Sequence, residues 1–275
     1  MSVKKSNIAD PNLLKLRYKI DEIDNQIIDL LAARMDVVDE VAILKRSKNE
    51  NIFIRSNREA DMIKDIVVKL DGRYPKSHIM TIWRKIIAAA NLHEQEINIG
   101  LYNPDNIPDY KYLINEYYSR DFAVQSFDNA RKLISDIESG DIKLGILPVP
   151  NSSQEPWWQL IVDSNINIFA KIPFIENESD HELFCVAIKE VEPSQSDKTL
   201  LYLETKNNIE KNQIEEILQE LNFEISSLSS QNSAQDMAIF LYEIKGYIAY
   251  DNIDLRNLQD KDMRAKILGY FATQI

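Results

Sequence analysis

A stripe of apolar residues at three- and four-residue steps runs from Leu13 through Leu16, Ile20, Ile23, Ile27 and Leu30 to Val37, Val41 and Leu44. That spacing returns to one side of an α-helix at every turn, so the segment is predicted to form one long helix packed along a partner. One position breaks the pattern. Arg34 stands on the stripe, and a guanidinium cannot shed its charge there. It must be ion-paired, reach water or receive an anion, and the spacing leaves these alternatives open.

The first helix is predicted from near Pro11 to about Lys48, longer than most globular helices. Asn49-Glu50-Asn51 interrupts it. A second helix is expected from about Ser56, where Ser56 or Asn57 could cap the stripe Met62, Ile63, Ile66, Val67 and Leu70. The break from Asp71 to Pro75 precedes a third helix carrying Ile79, Ile82, Trp83, Ile86 and Ile87.

At Ile97 the period changes. Ile97 to Tyr102 alternates like a strand, and Phe127 to Ile137 is an amphipathic stretch leading to a buried-strand run, Leu144 to Val149. Further strands are expected at Ile166 to Ile172 and Leu183 to Ile188, followed by a polar linker from Glu190 to Lys198. The remainder reads as strand (Thr199 to Leu203), helix (Ile209 to Leu221), strand (Glu224 to Leu228), strand (Met237 to Ile244) and helix (Ile253 to Met263). That order is α+β of ferredoxin-like type.

Composition removes whole classes of function. The 275 residues carry a formal net charge of −12, against any general affinity for nucleic acid or anionic membrane. An anion site here must be a local cluster of cations. The lone Cys185 excludes intrachain disulfides and a Cys-rich zinc site, and His78, His93 and His181 lack metal-ligand spacing. With 6 glycines and no Gly-rich phosphate loop, nucleotide chemistry has no visible support. No uncharged run is long enough to span a bilayer, and no apolar core of leader length follows the first lysines. The expected compartment is the cytoplasm.

The cations concentrate on the first helix. Arg34 and Lys45 lie roughly 16 Å apart on nearly the same face, so two long side chains could grip one metabolite. Arg17 is roughly 25 Å from Arg34, too far to share a small ligand within one straight helix, but within reach from an antiparallel partner helix. The long apolar seam independently suggests such a partner, and hence a homodimer with shared sites.

The strings Asn12-Leu-Leu-Lys-Leu-Arg17, Ile20-Asp21-Glu22-Ile23-Asp24, Leu30-Leu31-Ala32-Ala33-Arg34, Val41-Ala-Ile-Leu-Lys45, Arg58-Glu59 and Trp83-Arg-Lys-Ile-Ile87 resemble the helical (AroQ-type) chorismate mutases over about residues 11–95. The resemblance implies cofactor-free, metal-free conversion of chorismate to prephenate in an intertwined dimer of three-helix domains. It implies that Arg34 and the other subunit's Arg17 hold the substrate carboxylates, and that Lys45 bridges a carboxylate and the ether oxygen. Glu59 would accept the ring hydroxyl with Arg58 in support. Glu94 falls where most members have a glutamine donating to the ether oxygen, so it would have to work protonated, favouring mildly acidic pH. Arg55 replaces a frequent aspartate, and Ala90 a frequent serine.

Ser139 to Ser153, with Leu-Gly-Ile-Leu-Pro-Val-Pro-Asn-Ser-Ser at its end, resembles the first lobe of prephenate dehydratases. There Pro150 replaces the family's acid, and Glu182-Leu183-Phe184 stands where Thr-Arg-Phe is usual. A second lobe is missing between Phe174 and that strand, so no dehydratase activity is expected. Residues 199–275 resemble an ACT domain, with Ala265 to Tyr270 as its closing strand. Leu228 to Asn232 lacks that module's effector motif, which speaks against amino-acid feedback through it. The expected class is therefore α + α/β: an all-helical mutase domain (1–95), a truncated dehydratase-like α/β region (97–198) and an ACT-like module (199–275), the last two regulatory or structural. Alternatives are a bifunctional mutase–dehydratase, a lyase acting on isochorismate, and a non-catalytic metabolite-sensing subunit.

Overall fold

The computed structural model describes residues 10–47, 52, 54–150, 155–176, 179–206, 209–232, 237–259 and 263–275. The predicted interruption at 49–51, Asn151 to Ser153, and the end of the last predicted helix at 260–262 lie outside them. Two compact units divide the chain, residues 1–49 and residues 50–275.

The first unit is one helix, α1 (Pro11–Ser47), of 37 residues. Its stripe lies open along most of its length, with Leu16 at 56%, Ile23 at 54% and Leu30 at 70% exposure.

In the second unit α2 (Ser56–Leu70) and α3 (Lys76–Glu94) precede a mixed sheet. Strand β1 (Asn98–Tyr102) leads through α4 (Pro108–Tyr117) to β2 (Ala123–Phe127), and α5 (Ala130–Ser139) leads to β3 (Leu144–Pro148). A 3₁₀ turn (Trp157–Ile161) precedes β4 (Ile166–Ile172) and β5 (Leu183–Ile188). Next come β6 (Asp197–Lys206), α6 (Lys211–Glu220), β7 (Ile225–Asn232), β8 (Met237–Lys245), α7 (Ile253–Gln259) and β9 (Arg264–Ala272). The last six elements form the predicted ferredoxin-like βαββαβ pattern, with strand order β9-β6-β8-β7.

Strand alternation sorts the core onto two faces of the sheet. Ile99, Leu101, Leu183 and Cys185 join Ile63, Met80 and Ile87 from α2 and α3 in one cluster. Phe184 and Val186 turn the other way and meet Leu133 and Ile137 of α5 with Trp157 and Trp158. Both tryptophans are fully buried, as core anchors rather than ligand platforms. Cys185 is equally enclosed, and burial pushes its thiol up to about 12, so it stays protonated and inert at neutral pH. Glycines permit the close approach of α5. A Cβ on Gly100 would lie 2.3 Å from Leu133 Cδ1, and one on Gly145 would lie 2.5 Å from Ile137 Cδ1.

Two features were not legible in the sequence. The ferredoxin-like strands and the α/β strands share one sheet: β4 pairs with β9 at Ile168 and Gly269, making one nine-stranded sheet. Gly269 has φ +146 and a Cβ there would sit 1.9 Å from the Ile168 carbonyl oxygen, so glycine makes the junction possible. The polar stretch from Glu190 is also fastened rather than free. Asp61 of α2 accepts the Gln195 backbone N–H at 3.1 Å, and Arg55 is ion-paired with Glu192. No helix among the described residues is long and apolar enough to cross a membrane.

Candidate functional site

Six side chains were singled out on the helical segment, and they fall in both units. On α1, Arg17 is exposed while Arg34 and Lys45 are half-buried. The Nη1 atom of Arg34 is shielded from solvent without a hydrogen-bond partner. A buried, unsatisfied guanidinium nitrogen is costly, and an anion would satisfy it. Lys45 lies in the last turn of the helix, beside Arg46, where the dipole favours cations.

In the second unit Arg58 is exposed in the first turn of α2, whereas Glu59 and Glu94 are each 7% exposed. Glu59 is held by two side chains of α3. Arg84 of α3 donates through Nη1 to Glu59 Oε2 at 2.7 Å, and Asn91 donates through Nδ2 to Oε1 at 3.1 Å. These contacts fix the plane of the carboxylate, leaving lone pairs for one more donor. Tyr117 covers the guanidinium of Arg84, its ring centroid 4.1 Å from Cζ. Burial pushes the Tyr117 hydroxyl up to about 12, so it meets Arg84 as a neutral ring. Ala90 is buried on α3.

Arg84 and Asn91 were missed as functional residues by sequence reasoning. Their separation of seven residues puts them two turns apart on one face of α3, which was the available signal. It shows a shared face but not the acceptor, since Glu59 lies on another helix.

At the ends of β3 and β5, the positions compared with dehydratase motifs are adjacent but filled. Pro148 pairs with Leu183, and the Pro148 carbonyl accepts the Trp157 indole N–H at 2.9 Å. Glu182 is ion-paired with Lys171 at 2.8 Å, and Phe184 packs against Trp157 and Phe271. None of these described groups carries a hydroxyl, and Ser152 and Ser153 of the compared string lie outside the described residues.

Residues 16–95 match the family model described as chorismate mutase type II. A bifunctional chorismate mutase/prephenate dehydratase of Stutzerimonas stutzeri is 23% identical over 146 residues, covering 52% of this chain. Its namesake in Aquifex aeolicus (strain VF5) is 23% identical over 263 residues, 90% of this chain and 69% of that protein. A third, from Pseudomonas aeruginosa, is 23% identical over 161 residues, 54% of this chain. The chain spans 40% and 41% of the lengths of the Stutzerimonas and Pseudomonas proteins. Among solved structures, one described as GqqA, a novel type of quorum-quenching acylase, superposes with a TM-score of 0.50 at 14% identity. It covers 66% of this chain and 97% of that one, a likeness of fold alone.

Proposed function

We propose that the protein is a chorismate mutase, an isomerase converting chorismate to prephenate in aromatic amino acid biosynthesis. The observation that carries this reading is the type II mutase match over residues 16–95, within which Arg17, Arg34, Lys45, Arg58, Glu59 and Glu94 all occur. In this rearrangement an ether C–O bond breaks as a C–C bond forms within one molecule. No nucleophile, metal or redox group takes part. The enzyme must hold a dicarboxylate in a compact chair and stabilise negative charge growing on the ether oxygen.

Arg34 holds one carboxylate, and its buried, unpartnered Nη1 supports that role. Arg17, exposed on α1, reaches the other carboxylate from a second subunit. Lys45 bridges a carboxylate and the ether oxygen. Glu59, oriented by Arg84 and Asn91, accepts the ring hydroxyl, and Arg58 supports it. The dimer is supported by the exposed stripe of α1, since a helix of 37 residues gains stability chiefly by covering such a face. The compartment proposed is the cytoplasm. The sheet region serves a regulatory or structural purpose.

The test is direct. Purified protein incubated with chorismate should yield prephenate, identified by NMR before any acid treatment. Turnover no faster than the uncatalysed rearrangement, by intact dimers, would instead favour a non-catalytic sensing subunit. The bifunctional names of the relatives favour a second reading, mutase plus dehydratase. It predicts phenylpyruvate at neutral pH, whereas Glu182 in the place of a threonine predicts none.

Glu94 gives a further expectation. A carboxylic acid donates a hydrogen bond only when protonated. Activity should therefore climb as pH falls from neutral. Glu94→Gln donates at every pH, so it should flatten that slope and raise kcat/KM at neutral pH by about tenfold. An unchanged pH–rate profile would remove Glu94 from the mechanism.

A further inference from the structure

The segment Lys189–Gln195, between β5 and β6, is distant in sequence from the residues matched to the mutase family, yet it lies against α2 as a strap. Lys189 donates through Nζ to the Ile54 carbonyl, and the Glu192 carbonyl accepts from Asn57 Nδ2. The Glu192 carboxylate pairs with Arg55 Nη1 at 2.5 Å. Asp61 accepts the Gln195 backbone N–H through Oδ1 at 3.1 Å and Oδ2 at 3.2 Å. Asp65 accepts from the Gln195 side chain at 3.4 Å. Lys64 of the same helix donates to Thr273, just past β9, at 3.1 Å.

Asn57, Asp61 and Lys64 recur at steps of four and three, with Asp65 beside them, so they share one side of α2. These contacts fasten that side to the sheet region. The N-cap residue of α2 is Arg55, whose side chain gives no capping hydrogen bond. A first turn without a cap frays readily. Here the Glu59 N–H donates to the Arg55 carbonyl at 2.9 Å, and the Arg55 side chain is held by Glu192. Arg58 and Glu59, both assigned to chorismate, stand in the turn that the strap fastens. Half-exposed polar contacts add little stability, but they are directional and set where a turn sits.

We propose that Glu192 is a positioning residue for chorismate: through Arg55 it sets the first turn of α2, and with it Arg58 and Glu59. The inference rests on the mutase reading. Its consequence is that the sheet region frames part of the mutase machinery and is not a detachable appendage. Glu59 meets the ring hydroxyl in the ground state and in the transition state alike. A displaced Glu59 should therefore raise KM with kcat little changed.

Glu192→Lys sets a like charge against Arg55 from a side chain that is 63% exposed, where folding is not at risk. In the full chain it should raise KM for chorismate by about fivefold, with kcat within about twofold and the urea midpoint unchanged. Glu192→Gln, which still accepts from Arg55, should recover most of the loss. In a Glu59→Gln background Glu192→Lys should add nothing, because it acts through the residue already altered. Hydrogen exchange at the Glu59 amide should quicken by about fivefold in Glu192→Lys, while amides of β6 and β8 keep their rates. With an active parent, an unchanged KM, a KM that rises only as the urea midpoint falls, no recovery in Glu192→Gln, an additive loss in the Glu59→Gln background, or unchanged exchange at Glu59 would each overturn the assignment. A parent that does not turn over chorismate would overturn the mutase reading and this role with it, so the parent's own rate tells the two failures apart.

Discussion

Arg34→Ala should lower kcat/KM for chorismate by about a thousandfold, a loss of about 4 kcal/mol of transition-state stabilisation. Two features of the residue set that size. Its charge lies on an otherwise apolar helical stripe, and its Nη1 atom is buried with no hydrogen-bond partner. A donor held out of water before substrate arrives needs no reorganisation when charge develops, and removing one such donor costs about 10²–10³ in rate. Deleting a charged fork that also fixes substrate geometry belongs at the upper end. Alanine is the strongest helix former, so α1 should persist. Circular dichroism and sedimentation should report unchanged helix content and dimer, and steady-state kinetics the loss. Turnover within tenfold of the parent would sink the assignment of Arg34 to the chorismate carboxylate.

The second large effect concerns stability. Arg84→Met should destabilise the second unit by about 3–5 kcal/mol, because Glu59 would be left as a buried carboxylate facing only Asn91. Both partners are less than one-tenth exposed, so water screens the pair little. The double variant Arg84→Met, Glu59→Leu should recover most of that loss, since an apolar pair of similar volume can replace a buried ion pair at little net cost. Urea midpoints for the parent, both single variants and the double variant give the coupling energy. If the two single losses simply add, the ion pair is not what holds α2 to α3.

The same pair shows why part of the candidate site was not legible beforehand. Arg84 stands within the string that resembles the mutases, yet nothing in its local pattern names a partner. Glu59 is twenty-five residues away on another helix, and Asn91 reaches it from two turns further along α3. Hydrogen-bond partners across helices depend on how the helices pack, and sequence periodicity says only which face packs.

Elements followed a similar rule. The long helix, predicted to about Lys48, is described to Ser47, because a 3.6-residue apolar period over many turns has few other solutions. The runs at Leu144, Ile166 and Leu183 are strands for a comparable reason, being short, β-branched and bounded by turn residues. By contrast α4 and β2 had no expectation attached to them. β2 is an edge strand with only Phe127 buried, so it carries little apolar alternation to read.

The sequence by itself determined the helical first third, the α/β character of the middle, the βαββαβ order of the last part, and the presence of a cation set suited to a dicarboxylate. Periodicity and composition are local properties, and the helices and strands follow from them, while the closing strand and the dicarboxylate are what the family resemblances imply. Only the tertiary structure decided that α2 and α3 pack on the sheet, that the two sets of strands merge at Ile168 and Gly269, and that Arg84 gives Nη1 to Glu59 while Nε and Nη2 stay buried without a hydrogen-bond partner. Those outcomes turn on which surfaces meet. A backbone close enough to exclude a Cβ, or a guanidinium edge left without an acceptor, exists only once distant segments have packed.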